Sequence, residues 1–165
     1  MTGKVIGSFT KRYSEMLLYF VLIATLLSHR LLDFPDFSIV VLLSPLVFLE
    51  NIFRWKNPWN LFILTFPICL LLGFDIKTLL NAFLSALAEE VFFRAYLMRR
   101  YGNITVSAMF ALPHFLIYQN FVSLLTFFPS LLFGFLYKKT DSLIFVSLVH
   151  LYSNLLYNAW IIRLV

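Results

Sequence analysis

Charge is scarce in this chain. Only 13% of its 165 residues are charged, where a soluble domain carries about one quarter. Cysteine is nearly absent too. The single Cys69, in the stretch FPICLLLGF, allows no internal disulfide and no CxxC pair for metal or redox work. It reads as a small apolar residue facing lipid or a neighbouring helix. There is no GxSxG to raise a serine nucleophile, and no HExxH to hold zinc. No repeat, low-complexity tract or long polar linker divides the sequence. The formal charge of +5 forms no basic stripe of the kind that tracks phosphates, so nucleic acid is not an expected partner.

What is present is apolar. Hydrophobic residues are 61% of the chain, with 20 Phe and 8 Tyr. They gather in seven runs, near residues 13–28, 38–53, 59–74, 77–98, 104–119, 121–137 and 142–162. The runs are continuous rather than alternating, and an open sheet would leave unpaired backbone groups in lipid. The expectation is an all-α membrane protein, a polytopic bundle of about seven transmembrane helices forming one domain over residues 1–165. Residues 13–74 are its N-terminal helices and residues 77–163 its core. The second and third runs are marginal against the roughly 20 residues that a spanning helix needs. The first resembles a signal peptide, but TLLSHRLLDF offers no small-x-small cleavage site, so an uncleaved helix is expected.

Loop charges give an orientation. If all seven runs span, one side holds nine basic residues: Lys4, Lys11, Arg12, Arg54, Lys56, Arg99, Arg100, Lys138 and Lys139. The other side holds Arg30, Lys77 and Arg163, and Arg94 lies within a span. The positive-inside rule then predicts a multi-pass protein of the cell membrane with a cytoplasmic N-terminus, and the lipid bilayer as its first partner.

Against this background a few polar residues are out of place. The run LLNAFLSALAEEVFFRAYLM carries Glu89, Glu90 and Arg94, and a charge at a helix centre costs about 2.5–3.5 kcal/mol on insertion scales. Glu90 and Arg94 are four apart and can pair on one face. As a buried pair they fix helix packing, which is compatible with catalysis. Glu89 points about 100° away, on the face of Asn81 and Ser85, with no charged partner in its own segment. SAMFALPHFLIY holds His114, with Phe110 one turn before it. VSLVHLYSNLLYNAW holds His150, Asn154 and Asn158 at four-residue steps. At 1.5 Å per residue, Glu89, His114 and His150 all lie roughly 14–17 Å from the same boundary, so they can converge. Pro113 removes the helical partner of the Met109 carbonyl, and a hydrated pocket at His114 is expected to satisfy it. By contrast, Glu50 and Asn51 read as interface residues, and Ser130 with Gly134 as a site of close helix packing.

A buried carboxylate, two imidazoles and an amide suit hydrolysis by an activated water. The Glu acts as general base and the other groups orient the water or stabilise an oxyanion. Two alternatives use the same residues. Two His and a Glu can bind zinc, although the Arg94 cation disfavours a dication. Glu and His chains also relay protons in transporters, but there they are strung across the membrane rather than gathered at one depth.

EEVFFR (residues 89–94), FALPH (residues 110–114) and HLYSN (residues 150–154) resemble the three motifs EExxxR, FxxxH and HxxxN of the CPBP family. That family comprises the CAAX proteases and bacteriocin-processing enzymes, also called the Abi family. The resemblance covers roughly residues 77–163 and implies a CAAX-protease-like core in the last four helices. It implies a glutamic-type intramembrane endopeptidase that needs no cofactor or metal. Glu89 would be the base and His114 would help hold the water. His150 and Asn154 would form the oxyanion hole, and Glu90 and Arg94 would order the site, with the division of labour between the two glutamates left open. The short chain is similar to bacterial members. The implied substrate is a membrane-associated peptide or protein tail, such as a bacteriocin precursor or a C-terminal sorting signal. The alternatives are a non-catalytic immunity or partner-binding protein of the same fold, and a zinc-dependent membrane hydrolase.

Overall fold

The structure is a computed structural model that describes residues 2–47, 49 and 75–158, with side chains from residue 14 onward. The described residues are helical throughout, with no strand among them. The helices are α1 (Thr2–Leu32), α2 (Ser38–Leu43), α3 (Ile76–Glu90), α4 (Asn103–Tyr118), α5 (Phe127–Thr140) and α6 (Leu143–Leu156). Shorter turns extend three of them. Ser44–Val47 continues α2, Val91–Tyr96 and Leu97–Arg99 continue α3, and Phe121–Thr126 leads into α5. Six of the seven apolar runs therefore have a helical counterpart, while the run at 59–74 lies outside the described residues, as do Glu50, Asn51 and Cys69.

The chain marks its own helix ends. Asp75 caps α3 by accepting from the Thr78 N–H at 2.9 Å and the Thr78 hydroxyl at 2.7 Å. Those bonds, the hydroxyl's first, hold its carboxyl below the usual carboxylate range. Asn120 accepts from the Ser123 N–H at 2.8 Å, and Ser142 from the Phe145 N–H at 3.3 Å. Each supplies a bond that a helix start otherwise lacks. Gln119 and Asp141 end α4 and α5 in the left-handed region, at φ 51° and 50°.

Polarity is inverted relative to a soluble domain. Phe20, Phe121, Phe128, Leu17 and Ile104 face outward, while Glu90, Arg94, Ser107, Ser130, Ser147 and His150 are buried. An apolar exterior around a polar centre is the pattern expected in lipid. The expectation of seven spanning helices is not met among the described residues. Two stretches, Ser14–Leu32 and Phe121–Thr140, are long and apolar enough to cross a membrane. The 16 residues of α4 reach only about 24 Å at 1.5 Å per residue, short of a core about 30 Å thick.

Two polar contacts fix the ends of the bundle. Arg100 reaches Glu15 at 3.3 Å at one end. Arg30 donates to the Gln119 side chain at 2.8 Å at the other. Between them Tyr19, Leu22 and Leu26 of α1 pack with Val41, Leu42, Ala88, Phe92, Phe93 and Phe110. Gly134 lies so close to Asn103 that a Cβ there would collide with the Asn103 side chain, which agrees with close packing at this position. Pro113 sits inside α4 without ending it. The freed Met109 carbonyl accepts from the Tyr19 hydroxyl of α1 at 3.0 Å. A neighbouring helix, rather than the expected hydrated pocket, restores the lost bond.

Candidate active site

The site is built on a change of helical winding. α3 is an ordinary helix as far as Glu90; from Val91 to Tyr96 the turn widens to a π-helix, and the Leu97 N–H reaches back five residues to the Phe92 carbonyl. Such segments concentrate at functional sites, because one wide turn re-aims the side chains around it. Here the wide turn begins just after Glu90, and Arg94 comes back over Glu90 within it. Arg94 Nε donates to Glu90 Oε2 at 2.9 Å, with both side chains fully buried. Arg94 Nη2 donates to Ser130 Oγ of α5 at 2.7 Å, and the guanidinium lies 5.6 Å from the Phe110 ring centre. The pairing expected from four-residue spacing is present. Ser130, read from sequence as packing alone, is also a ligand of the buried cation. Its signal was a hydroxyl in an otherwise apolar helix.

α6 brings His150 against both glutamates. His150 Nδ1 lies 2.9 Å from Glu90 Oε1, and its Nε2 lies 3.9 Å from Glu89 Oε2. A carboxylate paired with a guanidinium is acceptor-only, so Nδ1 is the donor; Nε2 faces Glu89 and accepts when the ring is neutral or donates when the ring is protonated. Aromatic rings hold the imidazole in that orientation. Phe133 stacks on it at 4.7 Å, and Phe110 meets it edge-on at 5.7 Å.

Glu89 is placed differently. It is half-buried, and Ser85 donates to its Oε1 at 3.4 Å, a long bond. Its Oε2 is buried with no hydrogen-bond partner among the described residues. Asn81, expected on the same face, is exposed.

His114 joins this region through Phe110, which stacks on it at 4.7 Å while meeting His150 with its edge. His114 Nδ1 lies 2.9 Å from the Phe110 carbonyl. That carbonyl can only accept, so Nδ1 donates and Nε2 is left with a lone pair. His114 therefore stands beside the glutamates across one aromatic ring. Asn154, half-buried one turn beyond His150, makes no hydrogen bond to a described residue, and Asn158 is exposed. His150 is thus bound to the carboxylates, whereas the Asn154 amide is free for another partner.

Among the described residues, no group of three His, Cys, Asp or Glu has a metal-holding arrangement. Arg94 occupies one oxygen of Glu90 and His150 the other, which leaves Glu89 Oε2 and His150 Nε2 facing each other at 3.9 Å.

No curated protein and no solved structure matches the chain. Residues 75–156, however, match a family model described as type II CAAX prenyl endopeptidase, Rce1-like. The span starts at the Asp75 cap and ends two residues after Asn154. It contains Glu89, Glu90, Arg94, His114, Ser130, His150 and Asn154. Residues 75–156 thus form a domain of the Rce1-like, type II CAAX prenyl endopeptidase family, a branch of the CPBP family.

Proposed function

We propose that the protein is a glutamic-type intramembrane endopeptidase that hydrolyses a peptide bond in a membrane-associated peptide or protein tail. The observation that carries this reading is Glu89 Oε2, buried without a hydrogen-bond partner among the described residues and 3.9 Å from His150 Nε2. A water beside this pair donates one hydrogen to the unclaimed Glu89 oxygen and bonds His150 Nε2 as donor or acceptor according to the ring's protonation. Glu89 takes one proton as the water oxygen attacks the carbonyl carbon. The proton is then delivered to the leaving amine as the carbon–nitrogen bond breaks, and Glu89 ends the cycle as a carboxylate.

The other residues serve that step. Glu90, Arg94 and Ser130 form a buried hydrogen-bonded cluster that holds His150 from behind. Asn154, with its amide uncommitted, donates to the oxyanion that develops on the substrate carbonyl. His114 Nε2 is a second anchor for the water. The bacterial peptide substrates implied by the motif resemblance, a bacteriocin precursor or a C-terminal sorting tail, suit a site enclosed by helices. The bundle end carrying Arg99, Arg100, Lys138 and Lys139 is assigned to the cytoplasm of a multi-pass cell-membrane protein.

The test is cleavage of candidate tail peptides, prenylated and unprenylated, by the full chain in liposomes, followed by mass spectrometry. Loss of the general base in Glu89→Ala is expected to lower the rate about 10²–10⁴-fold. His114→Ala and His150→Ala should be impaired alongside it. Full activity in Glu89→Ala overturns the mechanism. Tail binding or immunity that persists in all three variants, with no peptide product, favours a non-catalytic partner protein.

A further inference from the structure

A second polar feature is lined in part by Arg94. A cleft of about 440 Å³ is lined by Arg94, Met98, Arg99, Tyr137, Lys138 and Asp141. It lies between the end of the α3 extension and the end of α5, at the same end of the bundle as the Arg100–Glu15 contact. Arg94 is fully buried, five residues before the exposed Arg99. Its Nε is committed to Glu90 and its Nη2 to Ser130, while Nη1 is buried and has no hydrogen-bond partner. A guanidinium carries five N–H donors in a fixed fork, and an orphaned charged donor in a dry interior is costly. Nη1 is the nitrogen left for the cleft.

The charge around the cleft favours an anion. Arg94 is balanced by Glu90, but Arg99 and Lys138 still outnumber Asp141, the one acidic side chain among the described residues of the lining. Asp141 and Tyr137 are each engaged by other groups of the protein. The nearby helix C-termini oppose an anion only over their last turn. Some of their carbonyls are closed by the Arg100 and Tyr101 N–H groups on Leu97 and by the Asp141 N–H on Tyr137. A cleft of this size is larger than a single water or halide requires. A phosphate group offers several acceptor oxygens to a guanidinium, a second arginine and a lysine.

We propose that this cleft is a binding site for a phosphate-type anion, with Arg94 Nη1 at its floor and Arg99 and Lys138 at its mouth. An acidic phospholipid headgroup is the source that the location favours, because basic residues at helix ends in the interfacial layer attract anionic lipid. The site is separate from peptide hydrolysis and does not rest on it, although both share the Arg94 side chain.

The experiment uses the full chain purified in neutral detergent, with ionic strength matched by sodium chloride. Its thermal midpoint is followed against short-chain phosphatidylglycerol, short-chain phosphatidylcholine and inorganic phosphate. A ligand that binds the folded state raises the midpoint with its concentration. Phosphatidylglycerol should give a saturable rise and phosphatidylcholine none. The double variant Arg99→Gln/Lys138→Gln changes two exposed residues, so its ligand-free midpoint should match wild type. Its apparent affinity should fall at least about tenfold, or about 1.4 kcal/mol. An equal rise with inorganic phosphate keeps the anion site and assigns it to a soluble phosphate. Equal effects of the two lipids without a phosphate effect, or wild-type affinity in the double variant, overturn it.

Discussion

Glu89 and Glu90 are neighbours in sequence with opposite surroundings. Glu90 is fully buried, and each of its oxygens has a strong partner, Arg94 Nε at 2.9 Å and His150 Nδ1 at 2.9 Å. Glu89 is half-buried, and its contacts are a 3.4 Å bond from Ser85 and a 3.9 Å approach to His150. A buried carboxylate with both oxygens held by strong partners has little left for substrate or water. One with a buried oxygen unclaimed is available for chemistry. Under the proposed mechanism this contrast gives Glu90 an architectural part and Glu89 the reactive one, a division that spacing alone left open.

That contrast can be broken most severely at Glu90. Glu90→Ala strands a fully buried Arg94, and breaking a buried pair from one side costs about 3–5 kcal/mol. A large drop in the thermal midpoint is expected, whereas Glu89→Ala should change it far less while removing activity. Equal destabilisation by the two variants would erase the distinction. Ser130→Ala is the next step down. It removes one hydrogen-bond partner from the same cation, and interhelical hydrogen bonds in membranes reach at most about 1.7 kcal/mol. The expected outcome is a smaller midpoint drop together with a partial loss of activity, because Arg94 then holds Glu90 less firmly. Tyr19→Phe, remote from both carboxylates, marks the lower end. Its hydroxyl bond to Met109 is worth about 0.6 kcal/mol on the membrane average. Activity should stay close to wild type, and a loss as deep as that of Glu89→Ala would connect α1 to the chemistry.

Much of this was legible in the sequence because charges in apolar runs are expensive and therefore informative. The helical class, the Glu90–Arg94 pair and the Phe110–His114 contact follow from periodicity and the cost of burial. Other features left no such trace. A π turn over Val91–Tyr96 has no compositional mark, since its residues, VFFRAY, suit an ordinary helix equally well. Ser130 is a common packing residue in membrane helices, and only the arrival of α5 beside α3 shows which hydroxyl meets the guanidinium. The attachment of His150 to Glu90 rather than to an oxyanion depends on which ring nitrogen faces which carboxylate. Residue spacing does not encode that. The number of spans is not confirmed by the described residues, because a short apolar helix serves as well for packing against its neighbours as for crossing alone.

Tyr19 lies outside the matched span of residues 75–156, yet its hydroxyl takes the place of the N–H that Pro113 lacks. The two positions are therefore epistatic. In a Pro113→Ala background the restored backbone N–H would bond the Met109 carbonyl itself. Tyr19→Phe would then turn from harmful to neutral, a non-additivity that a double-mutant cycle measures directly. Grafting the matched span onto a different first helix would carry the proline's defect with it unless that helix also presented a hydroxyl at the same height.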